Sequence, residues 1–186
     1  MRCPLVPAAA SALTLTVTLT LTLSEKAAMP LFDFSNQDTV RSFRVINDGV
    51  MGGVSTSGLR LTAEAMIFEG EVSLANNGGF ASCRGPVTFR AGSATLLLTV
   101  RGDGQRYKLT LRRDDSPGAA QYQAVFTAPR DWQTLRFVPS DFAASFRGRP
   151  VTAPILRFED MQQLGVLISD RQAGAFRVEL KTIEAE

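Results

Sequence analysis

The sequence predicts an all-β domain, a sandwich or a barrel, and three observations carry that prediction. Tyr107–Arg112 and Phe176–Lys181 alternate apolar with polar residues, which is the strand period. Clusters of glycine, asparagine, aspartate and proline recur at short intervals, as in Asn47-Asp48-Gly49, Asn76-Asn77-Gly78-Gly79, Gly102-Asp103-Gly104 and Arg147-Gly148-Arg149-Pro150. Many short strands punctuated this often argue a sandwich or barrel. No stretch sustains a helical period; only Asp160–Leu164 reads as a helical turn.

Taken in chain order, residues 1–28 stand apart from the rest. Arg2 precedes an apolar stretch from Ala8 to Leu23, but Leu13–Leu23 alternates apolar residues with threonine, and Ser24-Glu25-Lys26 puts charge where a cleavage site wants small residues. The expectation is a leader outside the fold: a start placed upstream of a domain that begins at Met29, or a signal-like segment, with a membrane anchor as the third option. A single domain, 29–186, follows. Its location is expected to be cytoplasmic, or periplasmic or membrane-associated if the leader acts as a signal.

Ile46–Ser55 packs three glycines into five residues. Glycine permits positive φ and close backbone approach, and Asn47 and Asp48 can bond back to nearby amides. The segment is a self-satisfied turn with a packed Met51, or a ligand loop. It lacks a GxGxxG pattern and a following P-loop lysine, so phosphate binding is not expected. Glu69 and Glu71 share one strand face and suit a solvated edge better than a carboxylate pair. Asn76-Asn77-Gly78-Gly79-Phe80 is expected to make a tight hairpin, with amides beside an aromatic that would also suit sugar hydroxyls. Thr95–Val100 is continuously apolar, as a central covered strand would be. Gly102–Tyr107 is expected to be a hairpin loop in which Arg101 and Arg106 flank Asp103 as an exposed ion pair. Tyr122–Thr127, Trp132–Val138 and Val166–Ser169 complete the clearer strands, and Trp132 is expected to be buried.

The composition narrows function. Of 186 residues, 20 are basic and 18 acidic, a net charge of +2; this supplies no case for nucleic acid, which wants basic residues massed on one face. There is no histidine, so Ser-His-Asp and Cys-His sites are excluded, and two cysteines cannot build a thiolate zinc site. The expectation is a non-catalytic domain with no cofactor and no metal. Cys83 lies in a strand pattern and is expected to be a small buried hydrophobe.

The motifs resemble a known family. Asn47-Asp48-Gly49-Val50-Met51-Gly52-Gly53-Val54-Ser55 looks like the hallmark of the complex I intermediate-associated protein 30 family. Phe68-Glu69-Gly70, Asn76–Ser82, Gly102–Tyr107, Tyr122–Phe126, Trp132, Val138–Phe142, Phe146–Arg149 and Leu164–Asp170 follow in the expected order. The resemblance spans about Leu31 to Ile183. Phe43 stands where the family often has tryptophan, and no mitochondrial targeting pattern is evident, which favours a bacterial-type protein. The resemblance implies a jelly-roll β-sandwich, galactose-binding-domain-like, and a chaperone-like assembly factor of the respiratory chain. The implied partner is a protein, respiratory complex I subunits or intermediates, with carbohydrate as the alternative and no integral membrane segment in the domain. Candidate binding residues are Asn47, Asp48, Met51, Asn76, Asn77, Phe80, Arg101, Asp103, Arg106 and Tyr107, because binding residues gather on loops of a rigid scaffold.

A chain starting at Met29 is expected to melt at the same temperature as the full chain. A lowered melting temperature would place the leader inside the folded unit.

Overall fold

The protein is described by a computed structural model covering residues 28–116 and 118–186, without the side chains of Val50 and Met51. The leader, apart from residue 28, and the candidate side chain Met51 therefore lie outside the described residues. The strands are β1 Met29–Asp33, β2 Arg44–Asn47, β3 Thr56–Leu61, β4 Met66–Val72, β5 Ala81–Pro86, β6 Leu96–Gly102, β7 Arg106–Arg112, β8 Gln121–Thr127, β9 Gln133–Phe137, β10 Ala143–Phe146, β11 Arg149–Pro150, β12 Gln163–Ile168 and β13 Gly174–Ala185. They form two antiparallel sheets. One runs β3-β4-β13-β6-β9, with β1 also paired to β13; the other runs β11-β10-β8-β7-β12-β5-β2. The all-β jelly-roll-type sandwich predicted from the sequence is the observed architecture.

Period-two alternation explains how the sheets meet. Tyr107, Leu109 and Leu111 of β7 point inward with Leu164, Val166 and Ile168 of β12. They face Leu96, Leu98 and Val100 of β6 and Phe176, Val178 and Leu180 of β13 from the other sheet. A run of rings threads this core: Phe68, Phe176, Tyr107, Phe126, Phe137, Phe142, Phe158 and Phe89, each within 6.4 Å of the next. Such contacts stabilise by about 0.5–1.5 kcal/mol each beyond area burial. Phe43 packs in a second cluster, edge-on to Phe32 and Phe34 at 5.2 Å each. The position where the family often has tryptophan is thus filled by a ring packed against two other phenylalanines.

Several local expectations are corrected. The Asn76–Phe80 and Gly102–Tyr107 segments are not hairpins. Each carries the chain from the six-stranded sheet to the seven-stranded one, β4 to β5 and β6 to β7, because the strands on either side pair with distant partners instead of each other. Asp160–Leu164 is not a helical turn: a 3-10 turn ends at Asp160, and Leu164 is already in β12. A short helix, α1 Gln37–Arg41, capped by the Asn36 side chain, went unpredicted; five residues are too few to show a period. β6 is covered fully on one face only, with Leu97 and Thr99 half-buried on the other. Trp132 is half-buried on the outer face of the six-stranded sheet. Cys83 is buried, and burial pushes its thiol up to about 12.

Phe176→Ala is expected to cost about 3–5 kcal/mol in denaturant unfolding. Val125→Ala, on a side chain that is 60% exposed, is expected to change stability by less than about 0.5 kcal/mol.

Candidate functional site

The hallmark loop closes around a buried carboxylate. Asp48 begins a 3-10 turn, Asp48–Met51, and is fully buried. Its Oδ1 accepts from the Ser55 amide at 3.0 Å, and its Oδ2 accepts from the Ser55 hydroxyl at 2.5 Å, the Gly79 amide at 2.7 Å and the Phe80 amide at 3.3 Å. Burial alone would push this carboxyl up, but the donors from Ser55, Gly79 and Phe80 together outweigh it and hold the group below its ordinary value. The glycines make room for it. A Cβ on Gly53 would lie 2.3 Å from Asp48 Cγ, and one on Gly78 would lie 2.6 Å from Asp48 Oδ2. Gly52 is needed for a different reason, its left-handed φ of +85°. Asn47 accepts from the Ser57 hydroxyl at 2.6 Å. Asn76 and Asn77 both take positive φ, 57° and 59°, as asparagine tolerates.

The second candidate loop is equally self-satisfied. Asp103 accepts from the amide and side chain of Gln105, the Tyr107 hydroxyl and the Arg177 amide, at 2.7–2.9 Å. It pairs with neither neighbouring arginine, which corrects the expected ion pair. Burial, then the charge of Asp103, push the Tyr107 phenol far up. The Arg106 amide donates to Gln172 instead. Arg101 belongs to a ladder on the outer face of the six-stranded sheet. It bonds Glu179 at 2.9 Å and lies 4.6 Å above the Trp132 ring, while Arg177 bridges Glu179 and Glu69, and Arg60 also meets Glu69.

A groove of about 780 Å³ runs across the outer face of the seven-stranded sheet. The strands β5, β12, β7 and β8 build its floor from their outward residues, among them Arg84, Lys108, Thr110, Arg112, Gln121 and Gln123. Three segments border it, 77–80, 145–148 and 169–171. Opposite Arg84 in the β5–β12 register stands Gly165, where a Cβ would lie 2.2 Å from Cys83 O and 2.6 Å from Arg84 Cβ, so only glycine lets the two strands meet beneath Arg84. Of the sequence-predicted residues, Asn77 and Phe80 line this groove, and Asp48 holds the amides of Gly79 and Phe80 from behind. Arg101, Asp103 and Tyr107 line no part of it. The floor residues were missed because their only local signal is the alternation of polar side chains along β7 and β8; strand pairing brings Arg84 to them.

A family model described as Complex I intermediate-associated protein 30 matches residues 32–180. The chain belongs to this family. The match takes in both the Asp48 loop and the groove, so the hallmark of the complex I intermediate-associated family is here a structural knot that sets one wall of an open groove. No curated protein matches the sequence. Among solved structures, the family 11 carbohydrate-binding module of cellulase Lic26A-Cel5E from Clostridium thermocellum is 12% identical, with a TM-score of 0.66 over 87% of this chain and 95% of that one. The Clostridium thermocellum module in complex with a β-1,3-1,4-mixed-linked tetrasaccharide gives 11% and 0.60 over 87% and 96%. An agarase gives 12% and 0.54 over 87% of this chain and 25% of its own. These likenesses establish a shared fold.

Asp48→Ala strands the Ser55, Gly79 and Phe80 amides and is expected to cost about 3 kcal/mol or more; Gly53→Ala is expected to cost about 1–3 kcal/mol by crowding the carboxyl. Denaturant melts check both. Because the folded carboxyl titrates low, its contribution is complete above its ordinary value of 3.8 and is lost as the pH falls below it. The gap in stability between wild type and Asp48→Asn should therefore narrow in acid.

Proposed function

We propose that this chain holds a protein intermediate during assembly of respiratory complex I and catalyses no reaction of its own. The observation that carries this reading is the family match, which covers residues 32–180, nearly the whole sandwich. The groove fits it. Among the described residues its lining has a single carboxylate, Asp170, bonded by Lys108 at 2.6 Å, and the sequence has no histidine to move a proton at neutral pH.

The second reading, a carbohydrate-binding module, is favoured by the fold shared with the Clostridium thermocellum module. The chemistry of the groove supports it less. The only rings that line it among the described residues are Phe80 and Phe146. Both tyrosines are in the core, and Trp132 sits on the opposite sheet under Arg101. The floor offers guanidinium and amide groups where a neutral sugar would want an aromatic surface to stack on.

A strain lacking the chain should accumulate partly assembled complex I on native gels, and the purified protein should give no saturable signal on an array of neutral glycans. Normal complex I together with saturable glycan binding would transfer the case to the carbohydrate reading.

A further inference from the structure

Charge is distributed unevenly between the two outer faces. On the six-stranded sheet, Arg60, Arg101, Arg177 and Lys181 each meet a carboxylate of Glu64, Glu69 or Glu179. The groove on the other sheet is lined by Arg84, Lys108, Arg112, Arg147 and Arg171 against the one carboxylate of Asp170, which Lys108 already engages. Within the lining this is an excess of four positive charges, lessened at one end, where the charge of Asp115 acts on Arg84 and that of Asp114 on Arg112.

The positive charge is held there against opposing effects. Arg84 stands directly across from Arg44 in the β2–β5 register, and like charges directly opposite destabilise a sheet. Arg44 is engaged by Asp115 at 2.6 Å, whereas Arg84 Nε is buried with no acceptor. Arg112 donates only to the carbonyls of Asp114 and Ser116. Arg147 and Arg171 face no carboxylate among the described residues. The rim is strained as well. Five described residues other than glycine have positive φ, and four of them, Asn77, Arg147, Asp170 and Arg171, line this groove. Left-handed backbone at non-glycine residues gathers at binding sites, where it pre-sets side chains for a ligand.

The floor also tells which anion fits. In register across the sheet, Ile46, Ser82, Leu167, Lys108 and Val125 form one row, and Arg84, Gly165, Thr110 and Gln123 form the next. Two aliphatic side chains, Ile46 and Leu167, thus stand in the groove beside a row of guanidinium, hydroxyl and amide groups. An extended polypeptide carrying both aliphatic and carboxylate side chains satisfies both. An anionic polysaccharide satisfies only the second.

We propose that this groove binds an acidic segment of polypeptide with interspersed aliphatic residues. The proposal rests on the assembly reading above and names the surface and the chemistry by which the partner is held. Guanidinium groups that form no ion pair recognise its carboxylates, and Ile46 and Leu167, which line the groove, take its aliphatic side chains.

The test is fluorescence anisotropy of the full chain with a short labelled peptide of repeating Val-Glu, a matched Val-Gln peptide, and heparin as a polyanionic sugar. The Val-Glu peptide should bind, should weaken roughly tenfold or more between low and high salt, and should lose tenfold or more in the double variant Arg84→Glu, Arg112→Glu. If that variant does not fold by circular dichroism, Arg147→Glu with Arg171→Glu, both exposed, makes the same test. Equal binding of the Val-Gln peptide, binding of heparin alone, or no binding of any probe would overturn the proposal. A strain carrying the charge-reversed groove separates the two levels. Complex I lost on deletion but normal with the reversed groove would sink this proposal and leave the assembly reading standing. Normal complex I on deletion would sink the reading itself.

Discussion

The carboxylate of Asp48 is the constraint on which the working surface depends. It is fully buried, where an ionised group survives only if its oxygens are met by donors, and four donors from two separate loops meet it. The β2–β3 connection and the β4–β5 crossover are thereby fixed to one another. Gly53 and Gly78 approach the carboxylate so closely that no side chain fits at either position. The Asn-Asp-Gly-Val-Met-Gly-Gly string follows from this: an acid to collect the amides, and glycines to let the backbone reach it. The Asn77–Phe80 wall of the groove is a consequence of that knot, since the same carboxylate holds the amides of Gly79 and Phe80.

The two sheets then diverge in role, although they share one core. The six-stranded sheet neutralises its outer face through ion pairs running from Arg60 through Glu69, Arg177 and Glu179 to Arg101. The exposed pairs at Glu69 contribute under about 1 kcal/mol each, Glu179 is buried between its two arginines, and together the pairs leave little charge seeking a partner. The seven-stranded sheet leaves Arg84 Nε buried without an acceptor and gathers Arg84, Lys108, Arg112, Arg147 and Arg171 along one groove. A rigid sandwich with one satisfied face and one unsatisfied face is suited to holding a ligand more than to transforming one.

What the sequence disclosed and what it concealed divide along contact distance. The alternation in Tyr107–Arg112 and Phe176–Lys181 is a local pattern, so the strands and the fold class were legible. The Asn76–Phe80 turn was legible as a turn, because asparagine tolerates the left-handed region, but not as a crossover, because its flanking strands belong to different sheets. Asp48 was legible as a residue that would bond to amides. Its partners Gly79 and Phe80, 31 and 32 residues away, were not, and neither was the reason for Gly53, which is space and not backbone angle. One wall of the groove, Asn77 and Phe80, was legible as a candidate; its floor was not. Arg84, Arg112 and Gln123 lie on three strands whose order along the sheet is set by the packing of the whole chain, and nothing near each residue signals the others.

The central claim is that the outer face of the seven-stranded sheet is where this protein holds a complex I intermediate. Photocrosslinking in the native cell tests it most directly, with a photoreactive residue at position 123 on the groove floor and, as comparison, at position 134 on the outer face of the other sheet. The account predicts a covalent adduct with a complex I subunit from position 123 and none from position 134. Adducts from position 134 alone, or from neither position while complex I assembly continues normally, would contradict it.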